Sequence, residues 1–358
     1  MKRLITISYI QYNLYKSTGD VIIYQLKQNN KYCLNCLSIS ENRIIWQTCF
    51  DYYFDSINIV DDVIILRKFN GFLIVLDLNF GNKALKTISL ENFESQYLLP
   101  ISDKKEIVIY EDKKEIFLSG VFEFDKNEIK WLRNSIIGLT QLNGIYFGIK
   151  DRQLLSKYDS NLGFLQWQSD LSAYNSHQFD GEKPAHIGQI VGVSENVLLV
   201  WMAGEQLLGL ELVTGEVLWK IDFVPYFHIT KWFTVFYYWN IENHKLYLLK
   251  YLYYFEIDLT TQEVKILWQN SDESYSITHC CYTPDYVYFT ALGSELEIQI
   301  LGAFNRRSLT IDWLERQTMP RLDAYSYVGF HQAPQVDGSK LYVLDSGGTL
   351  HIFEKECD

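Results

Sequence analysis

The chain has 358 residues, 48% of them hydrophobic, 16% aromatic and 21% charged, and a formal net charge of −12. That length buries a sizeable core without disulfides, and the composition excludes a disordered, collagen-like or disulfide-scaffold chain. The acidic balance argues against a general nucleic-acid binder, because phosphate contacts need Lys and Arg.

The opening MKRLITISYIQYNLYK has a short apolar stretch, soon followed by Gln11, Asn13 and Lys16. No small-residue cleavage site follows, so it reads as folded chain rather than an export signal. No apolar run reaches the ~18 residues of a membrane helix. Beyond it come short β-rich runs: VIIYQL (21–26), VIIL (63–66), IVIY (107–110), VLLVW (197–201), LYLL (246–249), YVYF (286–289) and LYVL (341–344). Asn, Asp, Gly and Ser bound these runs, and helix-period patterns are nearly absent. Such spacing predicts an all-β sandwich, barrel or propeller.

A repeat decides between them. ELVTGEVLWK (211–220) ends a strand in an acid, turns at Thr214-Gly215 and starts a strand bearing Trp219. The frame recurs as SISENRIIWQ (38–47), DLNFGNKALK (77–86), EFDKNEIKWL (123–132), DSNLGFLQWQ (159–168) and NRRSLTIDWL (305–314). DLTTQEVKILWQ (258–269) is the same unit with two extra residues. Its fifth position is Asn42, Gly81, Asn127, Gly163, Gly215 or Leu309, and Gly and Asn suit a positive-φ turn residue. Four residues on stand Trp46, Leu85, Trp131, Trp167, Trp219 and Trp313; Trp268 serves the longer copy.

The unit starts, from 38 to 305, give six intervals with a mean of 44.5 residues. That is the period of a four-stranded propeller blade, and eight periods fill the chain as one domain, 1–358. Seven blades is the alternative. Leu4 precedes Val21 by the 17 residues that separate Trp46 from Val63. It is therefore expected in the Trp position, with residues 3–8 pairing with 349–354 to close the ring and remove an open edge.

An acid, then Thr-Gly, then a strand bearing Trp resembles the quinoprotein-type repeat, the PQQ-like β-propeller superfamily. The resemblance implies an all-β propeller whose Trp46, Trp131, Trp167, Trp219, Trp268 and Trp313 anchor blade to blade. Family members include quinone-dependent dehydrogenases and protein-binding scaffolds, so the motif specifies fold rather than function. Cys280-Cys281 matches the adjacent pair of some dehydrogenases, but no matching calcium ligands or catalytic Asp accompany it. The plainer reading is two half-buried thiols at a strand start.

The six cysteines (33, 36, 49, 280, 281 and 357) show no framework spacing. Free thiols and a cytoplasmic location are expected, with a periplasmic or secreted protein as the alternative. Cys33-Leu34-Asn35-Cys36 has C-x-x-C spacing, but within a strand those side chains point to opposite faces. No metal, cofactor or nucleotide motif is present, and none is expected to be bound.

Connections measured from the Trp position to the next second strand lengthen late in the chain, notably after Trp167, Trp219 and Trp313. In a propeller these lie on one face, where insertions mark binding surfaces. Tyr174, His177, Asp180, Glu182, Tyr226, His228, Arg321, Asp323 and His331 are the candidate partner-binding residues there. The expected function is a non-catalytic protein-binding propeller, monomeric alone. In its sharper form it is an inhibitor or immunity protein whose acidity steers a basic toxin. The alternative is an enzyme with a central-channel site, a lyase, hydrolase or quinone-dependent oxidoreductase, carried by His177, His186 and His331.

Overall fold

A computed structural model describes residues 1–7, 14–18, 21–41, 43–60, 63–68, 72–79, 81, 84–89, 95–101, 106–113, 116–123, 128–134, 136, 138–174, 186–203, 206–223, 225–226, 238–272, 274–295, 297–321, 328–330 and 332–355. Among them are strands and no helix, in four-stranded antiparallel sheets. After β1 (Lys2–Ile7), the first sheet runs β2 (Leu14–Thr18), β3 (Val21–Gln28), β4 (Lys31–Ser38) and β5 (Arg43–Phe50). The second runs β6 (Phe54–Val60), β7 (Val63–Lys68), β8 (Phe72–Asp77) and β9 (Ala84–Ser89). The third runs β10 (Ser95–Ile101), β11 (Glu106–Lys113), β12 (Ile116–Glu123) and β13 (Glu128–Asn134). The fourth runs β14 (Gly138–Leu142), β15 (Ile145–Lys150), β16 (Leu154–Tyr158) and β17 (Leu165–Asp170). The fifth runs β18 (His186–Ser194), β19 (Val197–Ala203), β20 (Gln206–Glu211) and β21 (Val217–Asp222). The sixth runs β22 (Trp239–Glu242), β23 (Lys245–Lys250), β24 (Tyr253–Asp258) and β25 (Val264–Gln269). The seventh runs β26 (Tyr275–Tyr282), β27 (Tyr286–Gly293), β28 (Ile298–Asn305) and β29 (Thr310–Thr318). The eighth joins β30 (Gln335–Asp337), β31 (Lys340–Leu344) and β32 (Leu350–Glu354) to β1, with Lys2 opposite Glu354 and Ile7 opposite Leu350.

The chain divides into two compact units. Met1–Asp51 with Tyr237–Asp358 holds the first, sixth, seventh and eighth sheets; Tyr52–Phe236 holds the second to fifth. In each unit the cores lie between successive sheets. In Tyr52–Phe236, Phe147 and Leu155 of the fourth sheet pack with Leu198, Val200 and Leu208 of the fifth. In the other unit, Ile22 and Tyr24 of the first sheet pack with Tyr342 and Ile352 of the eighth. Middle strands are thus covered on both faces, which is why VLLVW reads as continuous rather than alternating hydrophobicity.

The repeated turn has a consistent geometry. Gly81, Gly163, Gly215, Gln262 and Leu309 all have positive φ, from 38° to 77°. Each donates its N–H to the carbonyl four residues back, on Asp77, Asp159, Glu211, Asp258 and Asn305. The acid that ends the strand also caps the turn: Asp159 Oδ1 accepts from Asn161 and Leu162, and Asp258 Oδ1 from Thr260 and Thr261. Asn42 and Asn127 lie outside the described residues.

A β-bulge precedes each tryptophan of the frame. Trp46, Trp131, Trp167, Trp219, Trp268 and Trp313 stand opposite Cys36, Val121, Lys157, Gly209, Tyr254 and Ala303, each just after the shift. A bulge bends the strand and re-aims the next side chain. The structure places four of these rings against the following sheet. A Cβ on Gly163 would come 2.4 Å from the Trp131 ring, and one on Gly215 2.5 Å from Trp167. Trp167 Nε1 also donates to Leu212 O at 3.1 Å. Trp268 meets Phe304 at 5.0 Å and Trp313 meets Phe353 at 5.3 Å between ring centroids. Trp219, half-buried, lies over Gly209 of its own sheet, and Trp46 is half-buried.

Two expected positions slip by one residue. In the second sheet Lys86, not Leu85, stands after the bulge, opposite Val75, because one more residue follows the turn. In β1, Leu4 is itself the skipped residue, and Ile5, opposite Ile352, takes the place expected of it.

The free-thiol expectation fails for two cysteines. Cys33 and Cys49 face each other across β4 and β5 and form a disulfide. The bond also removes Cys33 from any site shared with Cys36, which is free and buried. Cys280 and Cys281 lie near the end of β26 rather than at a strand start; the first is buried and the second half-buried.

Candidate functional site

Each sheet is an antiparallel meander, so its second turn lies at the same end as the connections entering and leaving it. Three of those connections are long: 171–185, 223–238 and 319–334. The other connections between sheets, 8–13, 51–53, 90–94, 135–137 and 270–274, have six residues or fewer. Every turn at the opposite end of a sheet has six or fewer. The loop-bearing ends of these sheets are therefore the candidate sites.

The described candidate residues are differently seated there. Tyr174 is half-buried, donates its N–H to Leu171 O and packs on the core between the fourth and fifth sheets. Tyr226 donates its N–H to Phe223 O and sets its ring 6.0 Å from Phe223, which meets Trp201 at 5.4 Å. Both tyrosines thus begin their loops tied to the core. Arg321 is exposed, and His186, half-buried, opens β18 opposite Ala203. His177, Asp180, Glu182, His228, Asp323 and His331 lie outside the described residues.

The connection 319–334 is fastened to the turns beside it. Met319 N–H donates to Glu297 O, Val328 N–H to Pro320 O, and Phe330 N–H to the side-chain oxygen of buried Gln299. Gly329 and Ser346 exchange two hydrogen bonds of 2.8 and 2.9 Å. Beneath lies a buried dyad missing from the sequence-based candidates: His351 Nε2 donates to Asp345 Oδ2 at 2.9 Å, with both side chains under 8% exposed. Thr349 N–H fixes the other Asp345 oxygen at 2.8 Å, and Phe330 meets the imidazole edge-on at 5.7 Å. His351 Nδ1 is buried without a hydrogen-bond partner among the described residues. A carboxylate oxygen only accepts, so the proton of this bond is on Nε2. The only sequence signal was a histidine six residues past an aspartate, straddling Gly347-Gly348.

A second polar group sits on β26 at this end of the sixth and seventh sheets. Lys250 is 1% exposed, donates to Thr278 O at 3.3 Å and lies 5.1 Å from the Tyr251 ring. His279 Nδ1 is 3.0 Å from Thr278 Oγ1 and 3.2 Å from Thr290 Oγ1. Cys280 beside them is no nucleophile, because burial pushes its thiol up to about 12. Among the described residues no three His, Cys, Asp or Glu side chains gather as metal ligands.

No known protein family matches this sequence, and no characterised protein matches it. Solved structures match nearly end to end. The computationally designed Ika8 protein aligns with a TM-score of 0.64 at 11% identity, covering 99% of this chain and 100% of that one. Sqt1 of Saccharomyces cerevisiae gives 0.63 at 9%, covering 99% of each. The C-terminal WD40 domain of Sif2 gives 0.64 at 9%, covering 99% and 98%. At such identities the likeness is one of fold alone, and the fold of this chain is of the β-propeller class.

Proposed function

We propose that this chain is a non-catalytic protein-binding propeller that engages its partner through the loop-bearing end. The carrying observation is the distribution of lengths: insertions of fifteen or sixteen residues at one end of the sheets, and only short turns at the other. Loops on a rigid scaffold are where proteins place recognition. The count of sheets supports eight blades rather than seven, and the β1–β32 pairing supports closure through the chain ends as one domain. The Thr-Gly-Trp frame supports PQQ-like ancestry.

In the sharper form the partner is a basic protein, such as a toxin that this chain neutralises. The net charge of −12 supports that reading through faster encounter with a cation. The test is affinity capture by the tagged full chain from its native lysate, at low and high salt. The expected result is one stoichiometric basic partner, weakened by salt and by Asp180→Lys/Glu182→Lys/Asp323→Lys. Binding indifferent to both would remove the electrostatic form. The second reading, an enzyme, is favoured only by the Asp345–His351 dyad. It requires that His351→Gln abolish an activity while leaving partner capture intact.

A further inference from the structure

We propose a second protein-binding surface, on the third turns of the fourth and fifth sheets, for an extended apolar and basic segment of another protein. It lies at the opposite end of these sheets from the long loops and goes beyond the reading above.

Nine large apolar side chains are conspicuously exposed among the described residues, and five belong to these two hairpins. Leu162, Phe164 and Leu165 are 59%, 61% and 54% exposed; Val213 and Leu218 are 69% and 54%. The two hairpins lie side by side. The turn after β20 rests on β17, where Trp167 and Ser169 donate to Leu212 O and Gly215 O, two and four residues from Leu165. The surface is also rigid. Asp159 caps the first turn, and Arg133 donates to Leu162 O and Gly163 O while covering one side of Phe164 at 5.6 Å. Nothing about this hairpin requires exposed leucine or phenylalanine for folding, since Gly163 and Asp159 specify the turn.

The occupant follows from area and charge. Five half-exposed side chains offer roughly 400–500 Å² of apolar surface, near the largest patch of an ordinary monomer. A stable pair of folded proteins needs about 800 Å² per partner, so a peptide-sized segment fits better than a second copy. β17 and β21 are the last strands of their sheets, and their outer edges pair with no strand among the described residues. An extended segment can lie along such an edge. The charged rim at this end is Asp159, Glu195, Glu211 and Glu216 against Lys157, Lys220 and Arg133. Arg133 and Lys157 turn their heads onto the Leu162, Gly163 and Leu212 carbonyls but keep their charge, and four carboxylates against three cations leave a slight acidic excess. The segment is therefore apolar with Lys or Arg flanks.

The experiment uses the full chain and a random dodecapeptide display library, counter-selected on Leu162→Asp/Phe164→Asp/Val213→Asp. Enriched peptides with two or more apolar residues and net positive charge are expected. In fluorescence titration they should bind the variant at least tenfold more weakly. If the triple variant melts early, Val213→Lys/Leu218→Lys makes the same test. Peptide binding should survive Asp180→Lys/Glu182→Lys/Asp323→Lys, which separates this surface from the loop-bearing end. No enrichment, acidic consensus peptides, or equal binding by the patch variants would overturn the proposal. So would a concentration-dependent dimer that the patch substitutions dissociate.

Discussion

Trp167 shows what one side chain does in this fold. Its ring lies where a Cβ on Gly215 would go, and its indole N–H holds the carbonyl of Leu212. Trp167→Ala removes both and should cost roughly 3–5 kcal/mol in urea unfolding. Gly215→Ala strains a φ of 77° and drives a methyl into the ring, for about 1–3 kcal/mol. The double variant should cost less than the sum, because the small residue then has no ring to strike; additivity would mean the two do not touch. The turn position was legible from Gly163 and Gly215, whose lack of a side chain advertises positive φ. Residue type did not advertise it at Leu309, which only the spacing to Trp313 placed there, nor at Gln262; both adopt the same conformation under the constraint of their neighbours. Nor could Leu85 and Leu4 be placed, since a bulge adds a residue to the register without any residue type to mark it.

Hairpins carry the next layer of information. The register that sets Trp46 opposite Cys36 also sets Cys49 opposite Cys33, so the disulfide was implicit once that turn was located. Spacing along the chain conceals it, because the two cysteines are sixteen residues apart. Closing a loop of that size is worth roughly 3 kcal/mol in the chain-entropy account. Cys49→Ser should lower the urea midpoint correspondingly, and a non-reducing peptide map should recover the 33–49 link. Burial pushes Cys36 to about 11 and Cys280 to about 12, so both should resist iodoacetamide at pH 8 until the protein unfolds.

The sixth and seventh sheets are joined by another device at their opposite end. Arg306, 8% exposed, makes a two-pronged pair with Glu242 at 2.7 and 2.9 Å and donates to Tyr254 OH and Thr283 O. Those bonds hold the Glu242 carboxyl below its ordinary 4.5; turn N–H groups hold Asp258, and the Ser274 hydroxyl and N–H hold Asp272, below the ordinary 3.8. A carboxylate with a depressed folded pKa adds stability above its ordinary value and loses it as pH falls through the folded one. The urea midpoint should therefore hold from pH 7 to 5 and fall below about 4.5. Arg306→Met should lower stability by about 1–3 kcal/mol, less than for a fully buried pair because Glu242 is 40% exposed, and should flatten the acid limb.

For the whole molecule, the repeat made the fold class readable, since one period accounts for the chain from 38 to 314. The loop-bearing end was readable too, because connection lengths follow from strand positions alone. The Asp345–His351 dyad was not, since two residues flanking a glycine turn look like any hairpin tip until burial is known. One-domain behaviour predicts a single calorimetric transition, whereas two would separate 52–236 from the remainder.

The pairing of β1 with β32 also sets an order of events at the ribosome. β1 is made roughly 340 residues ahead of its partner. At about 5–20 residues per second, synthesis leaves that first strand without its ladder for about 20–70 s. Of the sheets described, the eighth is begun first and finished last, so a nascent chain stalled anywhere before Leu350 leaves β1 without its partner.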